Sequence, residues 1–212
     1  VSPEKFLLGE VWEDATTKYG FGHRRTYLLG KGLDSVMNYP FKNAVLDFVK
    51  GKPAQQAMNE ILSICEHYPA PALNTALNFL STHDTERALT VIADEPANGR
   101  GREWQSGRCA IIYTLPGLPC LYYGDEIGMQ GYRDPFNRGY YCWDSHEERL
   151  KPVLAQLAQL RHSCEAFRTG ALRVLRAEGG VLHYQRVGAT ETAEIIVNRS
   201  EHIIVEPLAS GK

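Results

Sequence analysis

Residues 78–87 read Asn-Phe-Leu-Ser-Thr-His-Asp-Thr-Glu-Arg, an apolar stretch that runs directly into reactive side chains. The apolar run that leads into them, Thr75–Leu80, has the length and composition of a buried strand. Helical patterns flank this strand at Ala54–Tyr68 and at Arg102–Leu115. Short strands that alternate with helices indicate parallel βα units, and such folds gather reactive side chains at the carboxyl ends of their strands. The polar half of residues 78–87 follows such an end.

The same alternation continues in both directions along the chain. Further strands are predicted at Phe6–Val11, Asp34–Asn38 and Pro119–Tyr123, and further helices at Phe41–Lys50 and Glu148–Cys164. A complete (β/α)8 barrel takes about 250 residues. Roughly 166 residues with four strands therefore fit either a small open α/β domain or part of a barrel.

The pattern changes near residue 166, where the helical periodicity stops. Short apolar runs separated by turns follow, at Leu172–Arg176, Val181–Arg186, Ala193–Val197 and Ile203–Glu206. We predict an α/β domain over residues 1–166 and a small antiparallel all-β domain over residues 167–212.

Composition excludes several classes of protein. The 212 residues carry 23 basic and 25 acidic side chains, a net charge of −2 that argues against nucleic-acid binding. No apolar run is long enough to span a membrane, and the first residues lack the pattern of a signal peptide. The five cysteines form no CxxC pair, so we expect neither a disulfide framework nor a zinc site. This usage favours a reducing, cytoplasmic location.

Two predicted strands end in reactive side chains. Glu10 closes the apolar run Phe6–Val11, and a carboxylate there is costly unless it is used or paired. It fits a general acid, and the competing interpretation is a glutamate bonded to nearby backbone. His83 and Asp84 follow Thr75–Leu80, but Asp84 is equally suited to cap a helix N-terminus.

A third segment combines a Gly/Pro-rich turn with paired charges. Residues 115–126 read Leu-Pro-Gly-Leu-Pro-Cys-Leu-Tyr-Tyr-Gly-Asp-Glu, and Asp134-Pro-Phe-Asn-Arg138 follows. Because Asp134 and Arg138 are four residues apart, we predict an ion pair that holds a loop.

Together these segments resemble the glycoside hydrolase family that contains α-amylase, most closely its neopullulanase and cyclomaltodextrinase branch. Gly9–Trp12 is similar to the segment that closes the fifth barrel strand, Asp34–Phe41 to the sixth-strand region, Ser81–Asp84 to the segment after the seventh strand, and Pro116–Glu126 to the eighth strand and its loop. The resemblance covers essentially all 212 residues. It implies the C-terminal half of a (β/α)8 TIM barrel, strands 5–8, followed by the small C-terminal β domain of the family.

The resemblance also implies roles for individual residues. Glu10 corresponds to the general acid/base, Asp84 to the third carboxylate, which stabilises the transition state, and His83 to a ligand of a sugar hydroxyl.

Trp12 and Tyr39 resemble aromatic platforms on the aglycone side, with core packing as the alternative for both. Asp134 and Arg138 resemble the pair that binds a sugar on the non-reducing side.

One part of the family pattern is missing from the sequence. The family's nucleophile is an Asp in a Gly-x-Arg-x-Asp pattern, and neither this pattern nor the Asp-x-x-x-Asn-His segment of the third strand occurs. A retaining glycosidase needs two carboxylates about 5–5.5 Å apart. We therefore expect a C-terminal fragment that is inactive alone and whose partner is the N-terminal half of the barrel. Its open strand edges predict self-association. No cofactor or metal is expected, because the family's calcium ligands usually come from the other half.

The resulting expectation is part of a retaining hydrolase of α-glucans or maltooligosaccharides. It would cleave α-1,4-glucosidic bonds, with α-1,6 bonds as a second expected target. A transglycosylase shares the same motifs. A non-catalytic glucan-binding or scaffold protein, and an unrelated open α/β domain, are the alternatives from other classes.

Overall fold

The computed structural model describes residues 4–30, 32–93, 104–144 and 150–207. The strands are β1 (Leu8–Gly9), β2 (Tyr19–Gly20), β3 (His23–Arg24), β4 (Ser35–Val36), β5 (Leu77–Asn78), β6 (Leu118–Pro119), β7 (Ala171–Glu178), β8 (Val181–Val187) and β9 (Thr192–Asn198). The helices are α1 (Tyr39–Lys50), α2 (Ala54–His67), α3 (Ala70–Asn74), α4 (Ala88–Ala93), α5 (Trp104–Thr114), α6 (Leu150–Ser163) and α7 (Glu165–Thr169). Single 3₁₀ turns lie at Asp125–Ile127 and Phe136–Arg138.

Four of the strands form a parallel row. β1 pairs with β4 and β5 pairs with β6, while a parallel bridge between Met37 and Leu77 joins the two pairs. The order β1-β4-β5-β6 confirms the parallel βα units that the sequence predicts. The ladders of β1, β4 and β5 lie inside their predicted runs but cover only two residues each, whereas β6 overlaps its predicted run, Pro119–Tyr123, only at Pro119. In the described part of the chain, β1 and β6 have no second partner, and Leu8 and Leu118 on them are 40% and 44% exposed.

Buried asparagines tie together the segment after β4, the strand β5 and the turn before β6. The Nδ2 of Asn38 donates to Oδ1 of Asn78 at 2.9 Å, and the Nδ2 of Asn78 donates to the carbonyl of Pro116 at 2.7 Å. Gly117 follows with φ 109°, and a Cβ there would lie 2.7 Å from the carbonyl oxygen of Ala76. The Pro-Gly turn is therefore required for β6 to approach β5.

Two helices follow β4 in the chain, and the first of them, α1, packs on β5 of this row. α1 begins at the cap Asn38, whose side chain accepts from the amide of Phe41, and ends at Gly51 in a positive-φ conformation. Its buried face packs on the apolar face of α2, which includes Met58 and Ile61. Both helices lie within two residues of their predicted bounds.

α5 and α6 also lie within the ranges predicted for them, Arg102–Leu115 and Glu148–Cys164. Residues 102–103 and 148–149 of those predictions are outside the described residues. The described helices include none that is long and apolar enough to cross a bilayer.

The last strands form an antiparallel sheet in the order β7-β8-β9. The predicted fourth strand, Ile203–Glu206, is wrong. Ile203 and Val205 are 96% and 91% exposed, so this segment has no apolar face to pair on a sheet. Side chains hold it instead, since Glu206 forms ion pairs with Arg176 and with Nδ1 of His183. Residues 208–212 lie outside the described part.

Two buried arginines, Arg186 of this sheet and Arg161 of α6, donate to the carbonyls at the end of α5, a contact that we call the arginine junction. The Nη1 of Arg186 donates to the carbonyl of Thr114 at 2.6 Å, and Nε and Nη2 donate to that of Gly170. The Nη1 of Arg161 donates to the carbonyl of Tyr113 at 2.7 Å. Because the last carbonyls of a helix have no partner within it, these guanidinium groups satisfy them and complement the helix dipole.

The apolar core runs through the same junction. Leu182, Tyr184 and Val197 of the sheet belong to one buried cluster with Ile61 and Ile112 of the helices. Burial lowers the pKa of Arg186 to about 10, so its charge persists at neutral pH. The division into domains at residues 166 and 167 stays a prediction.

Candidate active site at the carboxyl ends of the strands

Glu10, His83 and Asp84 converge on one exposed site. Glu10 directly follows β1, and the other two side chains lie on the loop between β5 and α4. One ligand atom of each residue lies within 4.8 Å of the other two. The parallel pairing of β1, β4 and β5 brings the carboxyl ends of these strands to the same edge. The site therefore contains two carboxylates and one imidazole.

One oxygen of Glu10 is held by two aromatic side chains. Its Oε1 accepts from the hydroxyl of Tyr39 at 2.8 Å and from Nε1 of Trp12 at 3.2 Å. These partners are side chains, in contrast to the competing interpretation of a glutamate bonded to backbone. No hydrogen bond to Oε2 is present among the described residues. Glu10 is thus oriented through one oxygen, and the other is available to a proton or a ligand.

Tyr39 acts as a buried hydrogen-bond donor. The ring is 1% exposed, with Trp12 stacked on it at 4.5 Å and 12° and Phe79 edge-on at 4.9 Å. No ring face remains for a sugar, so the packing alternative describes this residue and the platform interpretation is wrong for it. Burial, aided by the Glu10 carboxylate, raises the pKa of Tyr39 to about 12. The hydroxyl therefore remains protonated and can donate to Glu10 at neutral pH.

Trp12 presents the exposed aromatic surface of the site. Its side chain stacks on Tyr39, yet Trp12 is 48% exposed. A ring packed on one side and open on the other suits the apolar face of a glucose ring. Its role as a platform remains a prediction.

Both oxygens of Asp84 have partners. The Nη2 of Arg138 donates to Oδ1 at 3.0 Å, and Nε2 of His83 lies 3.2 Å from Oδ2. The capping interpretation of Asp84 is wrong, because α4 begins only at Ala88 and its amide donates to Oγ of Ser81 at 2.9 Å. Asp84 is therefore a carboxylate of the site.

The predicted ion pair between Asp134 and Arg138 is confirmed. The Nε of Arg138 lies 2.8 Å from Oδ1 of Asp134 and also donates to the carbonyl of His83 at 2.9 Å. Arg138 thus contacts two carboxylates and the backbone of the loop that carries the site. Carboxylates and imidazole are also metal ligands, but a guanidinium bonded to Asp84 opposes a further cation there.

Asn137 is a site residue that the sequence did not reveal. It is fully buried, and its Nδ2 lies 2.7 Å from the carbonyl of His83, 2.9 Å from that of Thr85 and 3.3 Å from that of Thr82. The amide therefore holds the loop that carries His83 and Asp84. Bonds to main-chain carbonyls leave no pairing of residue types in the sequence, so only its place between Asp134 and Arg138 points to it.

Arg87 is a buried residue that contacts Asn137 from the interior of the protein. It is fully buried, and its Nε donates to the carbonyl of Asn137 at 3.1 Å. Its Nη1 donates to the carbonyl of Tyr123 at 2.7 Å and to Oδ1 of Asp125 at 3.2 Å. Burial raises the pKa of Asp125. A hydrogen bond from Ser81 and the charges of Arg108 and Arg87 oppose that shift. These contacts link the loop after β5 to the loop after β6.

Comparison with known proteins agrees with this architecture. Residues 1–171 match the alpha amylase catalytic domain family. The chain is 33% identical to a cyclomaltodextrinase of Geobacillus thermopakistaniensis, with 100% of this chain aligned to 35% of that protein. It is 30% identical to neopullulanase 2 of Thermoactinomyces vulgaris, with 100% of this chain aligned to 35% of that protein. The chain thus spans about a third of the length of these curated relatives.

Solved structures give the same result. A cyclic α-maltosyl-(1→6)-maltose hydrolase from Arthrobacter globiformis superposes with a TM-score of 0.82 at 28% identity, covering 94% of this chain and 43% of that one. That hydrolase also has a structure in complex with cyclic α-maltosyl-(1→6)-maltose. By the match over residues 1–171 and by these relatives, the chain belongs to the α-amylase catalytic domain family.

Proposed function

We propose that this chain supplies the general acid/base and a substrate-binding carboxylate of a retaining hydrolase of α-glucans. Its targets are α-1,4-glucosidic bonds in maltooligosaccharides and related glucans, with α-1,6 bonds as a second target. The observation that carries the proposal is the convergence of Glu10, His83 and Asp84 within 4.8 Å at an exposed edge. Relatives named for cyclomaltodextrin and pullulan hydrolysis support the substrate class.

Glu10 is suited to protonate the glycosidic oxygen. The Tyr39 hydroxyl and the Trp12 ring fix one of its oxygens, so the other can hold the proton for the departing sugar. In the second half-reaction of a retaining enzyme, the same carboxylate removes a proton from the attacking water.

Asp84 is suited to stabilise positive charge and to bind sugar hydroxyls rather than to attack. Arg138 and His83 each engage one of its oxygens, which lowers the nucleophilicity of both. With His83 beside it, Asp84 can accept and orient hydroxyls of the sugar at the cleavage point. Trp12 stacks on the following sugar, and the Asp134–Arg138 pair binds a sugar on the other side.

The nucleophile must come from a further polypeptide segment. Retention requires a second carboxylate free to attack the anomeric carbon, and no Gly-x-Arg-x-Asp pattern occurs in the sequence. In this proposal the row β1-β4-β5-β6 corresponds to barrel strands 5–8, residues 1–166 form the partial barrel, and residues 167–212 form the C-terminal β domain. The chain alone is then inactive.

The same segment would cover the open strand edges. β1 and β6 end the described row, and partly exposed apolar side chains lie on or next to them, Leu8 and Phe6 at β1 and Leu118 and Leu121 at β6. Such edges favour pairing with another chain. Without the complementary segment, we expect the chain to self-associate through them, which light scattering at micromolar concentrations measures directly. A strictly monomeric chain would contradict this part of the proposal.

Chemical rescue tests the roles of the residues. A small nucleophile such as azide can replace a missing carboxylate: it bonds to the anomeric carbon as the glycosidic C–O bond breaks, and Glu10 protonates the departing oxygen. We expect azide-dependent turnover of an aryl α-maltoside by this chain. Glu10→Gln should abolish turnover of aryl α-maltosides with poor leaving groups. It should not affect turnover of a dinitrophenyl α-maltoside, because dinitrophenolate departs without a proton.

The matched control is Glu178→Gln, an exposed glutamate of the C-terminal sheet. It should change neither reaction. Turnover without azide that depends on Glu10 would show that the chain contains a nucleophile. Glucan binding without any turnover, with or without azide, would favour a non-catalytic glucan-binding protein. A chain that binds no maltooligosaccharide at all would contradict the proposed function.

A further inference from the structure

A polar cavity of about 340 Å³ opens beside the site. Trp12 and Asp84 line one end of it, and the α1 residues Lys42 and Leu46 line the side. We call it the Lys42 pocket. Because Trp12 and Asp84 belong to both, the pocket is continuous with the site but extends away from Glu10 along α1.

Lys42 is the unusual residue of this pocket. It is 8% exposed, and its ammonium forms no hydrogen bond or ion pair within the described ranges of the chain. The carboxylates of Asp47 and Glu86 attract it electrostatically, while burial lowers its pKa. An ammonium group that loses part of its water without gaining a hydrogen-bonded partner is destabilised. A ligand that supplies oxygen acceptors in the cavity would offset that cost.

The charges of the pocket indicate the class of ligand. Three cations, Lys42, Lys50 and Arg133, line it together with three carboxylates, Asp47, Asp84 and Glu86. Arg133 and Glu86 already face each other, with Nε and Oε1 3.6 Å apart. Because the three carboxylates offset the three cations, the lining offers no net attraction to a phosphate or a carboxylate ligand. A neutral ligand whose hydroxyls both donate and accept matches this balanced lining.

We propose that the Lys42 pocket binds a glucosyl unit of the α-glucan other than the two flanking the bond at which Glu10 acts. The Lys42 ammonium donates to hydroxyls of that unit, the Glu86 carboxylate accepts from them, and Leu46 supplies an apolar contact, while the open face of Trp12 remains with the adjoining sugar. This inference rests on the proposed function, since it extends the path of the same substrate. It makes Lys42 a residue that selects for longer or branched glucans.

The test measures binding as a function of glucan length. Calorimetric titrations of this chain with maltose through maltoheptaose, and with a maltosyl-branched oligosaccharide, are made in the Glu10→Gln background, which prevents turnover. We expect Lys42→Met to lose roughly tenfold in affinity for ligands long enough to reach the pocket, the loss expected for one hydrogen bond from a charged donor. Shorter ligands should bind as they do to the parent. Lys42→Arg, which keeps the charge, should retain part of the higher affinity for the longer ligands.

The controls separate recognition from folding and from the proposed function. Lys151→Met removes a charge from an exposed position of α6 and should bind every ligand like the parent. An equal loss for all lengths in Lys42→Met, with a lower melting temperature, would mean that Lys42 only holds the Glu86 loop, and would overturn the inference. Affinities unchanged at every length would also overturn it. If either of these results is accompanied by a lower affinity in Trp12→Ala, the inference about the pocket is wrong but the proposed function is still supported.

Discussion

The arginine junction and the candidate active site both join distant segments through charged side chains, but they do so in opposite environments. At the junction, Arg186 is fully buried and the N–H groups of its guanidinium donate to neutral main-chain carbonyls. At the site, Glu10, His83 and Asp84 are exposed and meet one another as side chains. The first arrangement uses its bonding capacity internally, whereas the second retains an oxygen of Glu10 for a ligand.

Charged side chains therefore stabilise the fold at the arginine junction, whereas at the candidate active site they remain accessible to a ligand. A buried guanidinium whose three nitrogens all donate to carbonyls fixes the end of α5 against the sheet, and its removal would leave buried carbonyls unsatisfied. An exposed carboxylate contributes little to stability, because water solvates it in the unfolded chain as well. Substitutions in the two regions should therefore separate stability from ligand binding.

The largest effect is expected at the junction. Arg186→Met should lower the free energy of unfolding by about 3–5 kcal/mol, because buried carbonyls of Thr114 and Gly170 lose charged donors. Urea denaturation measures the change. Arg173→Met, an exposed arginine of β7, is the matched control and should change stability by no more than about 0.5 kcal/mol. A loss below about 1 kcal/mol for Arg186→Met would contradict the larger contribution of the arginine junction to stability.

Asn137 lies between the two cases, because it is buried like the junction but serves the site. Asn137→Ala should cost about 2–3 kcal/mol and lower maltooligosaccharide affinity, since the carbonyls of His83 and Thr85 lose their donor. Titration calorimetry and urea denaturation follow the two effects. Asn137→Asp should lose at least as much, because a carboxylate cannot donate to these carbonyls. Retained affinity in both variants would separate Asn137 from the site.

Trp12 should affect binding more than folding. Trp12→Ala is expected to lower maltooligosaccharide affinity about tenfold, the loss of roughly one aromatic stacking contact. The free energy of unfolding should change by less than the free energy of binding, because Trp12 is half-exposed. Trp12→Phe keeps a ring and should recover part of the binding. Unchanged affinity in Trp12→Ala would assign the residue to packing alone.

Alkaline titration compares two buried tyrosines, one in each region. Burial raises the pKa of Tyr39 and of Tyr184 to about 12, above the usual value near 10. The folded chain thus keeps protons that the unfolded chain releases, so their contribution to stability is present below pH 10 and is lost as pH rises towards 12. Arg186, whose pKa is lowered to about 10, acts in the opposite direction over that range.

Tyrosine absorbance against pH measures these ionisations. Tyr39→Phe and Tyr184→Phe should each remove one late-ionising group from the titration curve. If either variant removes a group that ionises near pH 10 instead, that ring is not buried in solution.

The smallest effect is expected at Glu10. Glu10→Gln should change the unfolding free energy by no more than about 0.5 kcal/mol, because the amide oxygen can still accept from Tyr39 and the group is exposed. A loss comparable with that of Arg186→Met would remove the distinction between the two regions. Thermal or urea unfolding of both variants under one buffer condition makes the comparison.

The sequence predicted those features that depend on local spacing. α1 and α2 follow a helical period of apolar residues, and the parallel row follows from the alternation of short strands with helices. The Asp134–Arg138 ion pair was also predictable, because the two residues are only four positions apart. The residues proposed for catalysis were singled out by family motifs, which carry information that spacing alone does not.

Which groups meet across distant segments depended on how those segments pack, and the sequence did not reveal it. Tyr39 is buried between Trp12 and Phe79, and the hydroxyl of Ser81 accepts from the first amide of α4. The segment Ile203–Glu206 pairs with no strand among the described residues. Asn137 holds the loop of His83. Side-chain periods of 2 and 3.6 residues are local properties of the chain. Burial and bonds to main-chain carbonyls depend instead on which segments pack together, and every residue type offers the same carbonyl.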